Sequence, residues 1–281
     1  MPLGLEVCVD SLQSALEAEA GGATRLELCD ALIEGGLTPS IGKVTVMVRS
    51  TRLPVHTMVR PRGGDFLYDA SELQVMRADI GSLKQAGAHG IVLGVLTAEG
   101  DIDELLLREL VEAAAPLPVT FHRAVDVSRD PVGAIEVLVR AGVARVLTSG
   151  GAPTALEGAA TLRQMVRVAA GRISIAAGGG VTEDNAASLV RTTGVAELHG
   201  TLRGTTESLM QYRPTPPVYM GGNKRNTPAA EFERSVAQRS RVRATADALC
   251  VAMGGVPGAS LADCAAASST DAAEVPLATW P

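Results

Sequence analysis

Short apolar runs alternate along the chain with longer segments whose apolar residues recur at helical spacing. The runs at 3–9, 24–29, 53–60, 89–95, 117–123, 143–149, 172–177 and 196–200 read as strands. The segments at 11–21, 39–50, about 69–87, 103–115, 131–141, 155–170 and 182–192 read as the helices between them. Asp10 or Ser11 can cap the first helix, and Thr38 followed by Pro39 suits the start of the second. Gly87, Gly142, Gly171 and Gly194 stand where four helices should stop before the next strand. Eight consecutive strand–helix units predict an α/β fold, a closed (βα)8 TIM barrel forming a single domain over residues 1–253. A doubly wound open sheet is the alternative, and it rarely needs eight consecutive right-handed units.

Past Gly200 the rhythm breaks. Residues 212–226 are rich in Pro, Gly and Arg and read as a long loop. Residues 231–253 read as a closing helix, with Val242, Thr245, Ala246 and Leu249 as its apolar stripe. From 254 to 281 the chain is Ala, Ser, Pro and Gly with few large apolar residues, and a disordered tail is expected.

Composition narrows the class. Hydrophobic residues make up 46% of the 281 positions but aromatics only 2%, so the core must be aliphatic, which suits a parallel sheet covered by helices. A net charge of −6 argues against a nucleic-acid or anionic-membrane partner. The segment MPLGLEVCVDS lacks the basic and apolar regions of a signal peptide, and no stretch is apolar enough for a membrane span. Cys8, Cys29, Cys250 and Cys264 show no CxxC or zinc-finger spacing. A soluble cytoplasmic protein with free thiols is expected. Cys250 and Cys264 fall in the closing helix and the tail and are assigned no site.

The strand faces carry the candidate chemistry. Side chains alternate along a strand. Arg25, Glu27 and Cys29 therefore share one face of the second strand, and Glu6 and Cys8 share one face of the first. The second strand leads into a loop with Glu34, Gly35 and Gly36, the grammar of a binding loop on a βα unit. Barrels of this class gather function at the C-terminal strand ends. Two features compete there. Cys8 and Cys29 lie near the same end of neighbouring strands, where two thiolates could hold Cu(I), joined by Met58 or a histidine. The alternative is two ordinary buried cysteines.

The second feature is a polar ring. Its carboxylates are Glu6, Glu27 and Glu197, and its histidines are His122 and His199. Arg25, Arg60, Arg62 and Arg123 bring positive charge, with Asp126, Ser149 and the glycine turns at Gly150 and Gly179 beside them. Guanidinium groups and backbone N–H groups of glycine turns suit a small anionic ligand, and a histidine beside a carboxylate suits proton transfer. Glu27 and His122 are the candidate acid–base pair. A self-neutralising salt-bridge network closing the barrel end is the alternative. His56 and His89 sit at strand starts and are left out of the site.

With these residues laid out, the chain resembles the CutC family of copper homeostasis proteins. The likeness is carried by LEVCVDS (5–11), AxxGGATRLELCDALIEGGLTPS (18–40), MVRPRGGDFLY (58–68), VLGVLTAEGDID (92–103), LPVTFHRAVD (117–126), RVLTSGG (145–151), ALEG (155–158), GGGVTEDN (178–185) and ELHG (197–200). These segments run in order from residue 3 to about 203; residues 204–226 and the chain after Met253 follow the family pattern poorly, and TLRG beyond His199 leaves a role for Arg203 in doubt. The resemblance implies an eight-stranded βα barrel that handles copper in the cytosol, with Cys8 and Cys29 as Cu(I) ligands. It supplies no reaction, so an enzyme acting on a small phosphate- or carboxylate-bearing substrate stays open beside the copper reading. The expected partners are a copper ion, a small anionic ligand and further copies of the chain in a homo-oligomer.

Overall fold

The computed structural model describes residues 4–218 and 230–264. The eight expected strands are there: β1 (Gly4–Val9), β2 (Arg25–Leu28), β3 (Val55–Met58), β4 (Gly90–Leu93), β5 (Val119–Phe121), β6 (Arg145–Thr148), β7 (Ser174–Gly178) and β8 (Glu197–Gly200). They pair in parallel in sequence order, and β8 returns to β1 to close the barrel. The helices between them are α1 (Leu12–Gly21), α2 (Ile41–Ser50), α3 (Ala70–Gln85), α4 (Glu104–Ala114), α5 (Ala134–Arg140), α6 (Ala159–Ala169) and α7 (Ala186–Thr193). This is the predicted TIM barrel.

Local chemistry sets the helix boundaries. Ser11 caps α1 by accepting from the Ser14 amide, and Asp69 with Glu72 forms a full capping box on α3. Gly194 ends α7 at φ 78°, a conformation glycine adopts without steric cost. The start of α2 differs from expectation. Ser40, not Thr38, caps the helix, with its hydroxyl accepting from Lys43 N. Thr38 is engaged elsewhere: its hydroxyl donates to Arg60 O at 3.2 Å and accepts from Arg60 N at 3.0 Å. That pair ties the loop after β2 to the end of β3.

The outward strand positions, among them Val7, Leu26, Leu28, Ile91, Phe121, Val146 and Leu198, are fully buried against the helices and form the main core. The inward positions carry the polar residues Glu6, Glu27, Arg145, Glu197 and His199 together with the smaller cluster of Cys8, Cys29, Met58 and Val92. The register sets Glu6 beside Arg25 on one side and His199 on the other, and Cys8 beside Glu27.

Three expectations need correction at the C-terminal end. Residues 231–253 are not one helix. After a short 3-10 turn, Glu233–Ala237 forms β10, antiparallel to β9 (Arg203–Glu207), and α8 runs only from Arg239 to Ala252. Val236 and Ala237 are buried, which anchors this end as a strand. The expected stripe of Val242, Thr245, Ala246 and Leu249 is buried, where α8 packs against α1 and α7. The tail is ordered further than expected: Leu261 and Cys264 are buried in the core, so 254–264 is a packed extension, and 265–281 lies outside the described residues. Finally, Cys250 and Cys264 form a disulfide, so only Cys8 and Cys29 are free thiols. Of the expected loop at 212–226, residues 212–218 are irregular and 219–226 lie outside the described residues.

Candidate functional site

Strand pairing alone brings the two thiols together. Cys8 lies opposite Glu27 in the β1–β2 register, and Cys29 follows β2 with its amide donating to Val9 O at 3.0 Å. The sulfurs are 3.8 Å apart. Glu27 Oε1 lies 3.5 Å from Cys8 Sγ and 3.2 Å from Cys29 Sγ, so one carboxyl oxygen touches both. His199 arrives from β8, the other neighbour of β1. Cys8, Glu27 and His199 are all buried, and each offers a ligand atom within 4.8 Å of the other two. Met58, Val92 and Leu32 pack around the thiols.

Below this triad lies a network of charges inside the barrel. Glu6 is 1% exposed. It accepts from Arg25 Nε at 2.6 Å, from Arg145 Nη2 at 2.5 Å and from His199 Nδ1 at 2.8 Å. Glu197 binds the same two arginines and the Ser174 hydroxyl. The expectation that Arg25, Glu6 and Glu197 line the barrel mouth is therefore corrected. Arg25 and Glu197 open their strands, which places them at the N-terminal end, and a strand rises about 3.3 Å per residue. For these three residues the salt-bridge alternative holds. Arg145 is the member the sequence reading missed, although an arginine alternating with Leu147 on a buried strand was a visible sign.

The network sets the protonation of the triad. Burial acts to raise the Glu6 carboxyl, but the His199 hydrogen bond and the Arg25 charge outweigh it and bring it down to about 2. Burial acts against a charged His199, yet Glu27, Cys8 and Glu6 together hold its pKa well above the usual value. The hydrogen bond from Cys29 is the largest influence on Cys8, and with help from His199 it brings that thiol down to about 5 against the cost of burial. Cys29 is correspondingly pushed well above the ordinary thiol value, by its bond to Cys8 and by burial. Burial raises Glu27 to about 8, with the Cys8 and Glu6 charges adding to it and His199 opposing. The result is a thiolate at Cys8 beside an imidazolium at His199, with Cys29 as the donating thiol.

The triad opens into a cavity of about 540 Å³ whose wall includes Cys8, Glu27, Arg60, His122, Arg123 and His199. Arg60 is fixed by backbone carbonyls: Nη1 donates to Glu34 O and Gly36 O, and Nη2 to Gly64 O. It thereby staples two loops across the β2–β3 side, under the Phe66 ring at 5.0 Å. His122 accepts at Nδ1 from Ala124 N, and burial drives its pKa down to about 3, aided by the Arg60 charge. With Nδ1 accepting, the neutral ring carries its proton on Nε2.

Four other expected ligand residues, Asp126, Ser149, Gly150 and Arg62, fall outside the wall. Asp126 accepts from the amides of Ser149 and Gly151 and from the Thr148 hydroxyl, and so braces the loop after β6. Ser149 bonds Asp126 and Ala152 O in the same brace. Gly150 passes under the entry to α6, where a Cβ would lie 2.5 Å from Gly158 O. Arg62 is half-buried beyond the cavity, held by Glu72 and Asp65. Gly179 does line the wall. So do Arg203 and Arg241, which the sequence reading doubted or passed over; both stand past the point where the strand–helix rhythm breaks.

Comparison with known proteins agrees with this architecture. The CutC family model matches residues 3–204. A copper homeostasis protein cutC homologue of Mus musculus is 46% identical over 239 residues, covering 85% of this chain and 86% of that protein. The homologue of Homo sapiens is 45% identical over the same share of each. A crystal structure described as the putative copper homeostasis protein CutC from Streptococcus agalactiae superposes with a TM-score of 0.68 at 35% identity, covering 72% of this chain and 99% of that one. A match over most of the chain, with relatives near half identical along most of their length, makes this chain a member of the CutC family.

Proposed function

We propose that this chain serves copper homeostasis by binding Cu(I) through Cys8 and Cys29, with His199 as a third ligand. The observation that carries the reading is the 3.8 Å separation of two buried sulfurs. Two metal–thiolate bonds of about 2.3 Å, the zinc–thiolate length, would span that gap at an angle of about 110°. A bent arrangement leaves room for a third donor, and His199 stands beside Cys8. Two thiols, an imidazole and the nearby Met58 thioether form a donor set that suits a soft cation. Ligands must lose their protons to bind. Glu27 touches both sulfurs, and a carboxyl titrating near 8 can take up and release a proton close to neutral pH. The proposal includes a cytoplasmic setting, which would keep this pair reduced; the Cys250–Cys264 bond argues the other way.

Anaerobic Cu(I) titration against a competing chelator tests the site. One Cu(I) per chain is expected for the wild type, and none of comparable affinity for the Cys8→Ser, Cys29→Ser double variant. Unchanged uptake by that variant overturns the reading.

The size of the cavity favours a second reading. About 540 Å³ is far more than an ion needs and falls in the range of small-molecule sites, roughly 300–1,000 Å³. On that reading the barrel mouth also takes a small anionic molecule, with Glu27 and His199 beside it as the groups able to move protons.

A further inference from the structure

β7 ends at Gly178, and the chain leaves it through Gly179 at φ 97° and Gly180 at φ 72°. The register gives the Gly179 amide to His199 O at the end of the β7–β8 ladder, while the amides of Gly180 and Val181 bond no described residue, and all three residues line the cavity. Backbone N–H groups are strong donors that rarely go without an acceptor. Arg123 stands against the same turn: a Cβ on Gly179 would lie 3.3 Å from Arg123 Cζ and Nη1. The positive φ of Gly179 and this close approach both favour glycine there. Arg123 holds Asp126 through Nε at 2.7 Å and Ser149 Oγ through Nη2 at 2.8 Å, and its Nη1 bonds no described residue.

Further donors lie around the same cavity. Arg203, which opens β9, has Nε buried without a hydrogen bond to any described residue, while its Nη2 is held by Asp10 Oδ1 at 2.6 Å. His122 is 4% exposed, and because its Nδ1 is an acceptor its proton sits on Nε2, which bonds no described residue. Arg60 Nε is likewise buried without one. Against these donors the wall sets the carboxylates of Glu27 and Glu34.

We propose that the Gly179–Val181 turn and Arg123 Nη1 form a subsite for the phosphoryl group of a small phosphomonoester. Two amides and a guanidinium N–H make three donors, one more than the two oxygens of a carboxylate, and they match the three terminal oxygens of a phosphoryl group. Loops after the seventh and eighth strands are where barrels of this class commonly hold phosphate. The organic part of the ligand lies along the apolar wall of Leu32, Met58, Phe66 and Leu147. The inference rests on the second reading only in taking the cavity to hold a small molecule, and it needs no copper.

Isothermal titration of the full chain with phenyl phosphate and inorganic phosphate tests the subsite. Phenyl phosphate is expected to bind saturably and to be displaced by inorganic phosphate. Arg123→Ala should weaken it at least tenfold, in line with the loss of charged hydrogen bonds. Arg62→Ala, which removes the same charge outside the cavity, should leave binding unchanged. The Cys8→Ser, Cys29→Ser variant should also keep it, which separates this inference from the copper site. A wild-type crystal soaked in phenyl phosphate gives a check that needs no variant. Density for the phosphoryl group on the Gly180 and Val181 amides supports the subsite. Density elsewhere, no saturable binding, or an equal loss in Arg62→Ala overturns it.

Discussion

Glu6 and His199 meet across the β1–β8 seam, with His199 Nδ1 donating to Glu6 Oε1 at 2.8 Å. Because that carboxylate is held ionised, Nδ1 keeps its proton and the other ring nitrogen is left for Cys8. The seam that closes the barrel thus orients the imidazole over the thiols. Glu6 also anchors Arg25 and Arg145, so Glu6→Gln leaves two buried guanidinium groups with only Glu197 between them. A loss of about 3 kcal/mol or more is expected, as for breaking a buried ion pair. Urea denaturation checks it; a change below 1 kcal/mol would show the network to be dispensable.

The two thiols should differ in reactivity. In metal-free protein Cys8, held near 5, should be alkylated by iodoacetamide ahead of Cys29, held well above the ordinary value. The Cys29 hydrogen bond is the largest cause of the Cys8 shift, so Cys29→Ser should move the pH midpoint of Cys8 alkylation upward. Peptide mapping after timed labelling decides the order, and labelling of Cys29 first would contradict it.

Two buried histidines should make the fold acid-sensitive. Burial, the largest cause for each, lowers His56 to about 4 and His122 to about 3, against 6.5 when unfolded. Below pH 6.5 the unfolded chain takes up protons that the folded chain refuses. The share of stability that these two histidines control is therefore full above 6.5 and falls as pH drops toward 3. Glu6 adds to this only below about 4.5, down to about 2. Melting temperatures at pH 7, 5 and 4 should decline steadily. His122→Asn, whose side-chain oxygen can still accept from Ala124 N, should decline less; an identical slope would rule His122 out as a source.

The disulfide makes a count. Denatured without reductant, the chain should show two free thiols, and four after reduction. The bond closes a 14-residue separation, for which the chain-entropy estimate is about 3 kcal/mol. Cys264→Ser should lower stability by that order in a chemical unfolding curve. Four free thiols at the outset would place the pair reduced in the native protein.

Much of this was legible in the sequence. The alternation of strand and helix patterns was enough for the barrel, because the two periods differ and a parallel barrel needs a helix between each pair of strands. The alternation within strands put Cys8, Glu6, Glu27 and Cys29 on inward faces, and consecutive strands made the thiols neighbours. What a face pattern does not carry is depth along the barrel. Arg25 and Cys29 share a face of the second strand, yet one lies in the charge network and the other beside Cys8 in the thiol pair, because register with β1 fixes their heights. Nor does it carry closure: His199 reaches Glu6 across 193 residues, and Cys8 beside it, only because β8 pairs with β1. Glu233–Ala237 became a strand because β9 offered it an edge, and Cys250 found Cys264 because the tail folds back on α8. Local sequence dictates which side chains a segment turns inward; only the packed chain decides what they meet, since contact energy is earned between residues the sequence keeps far apart.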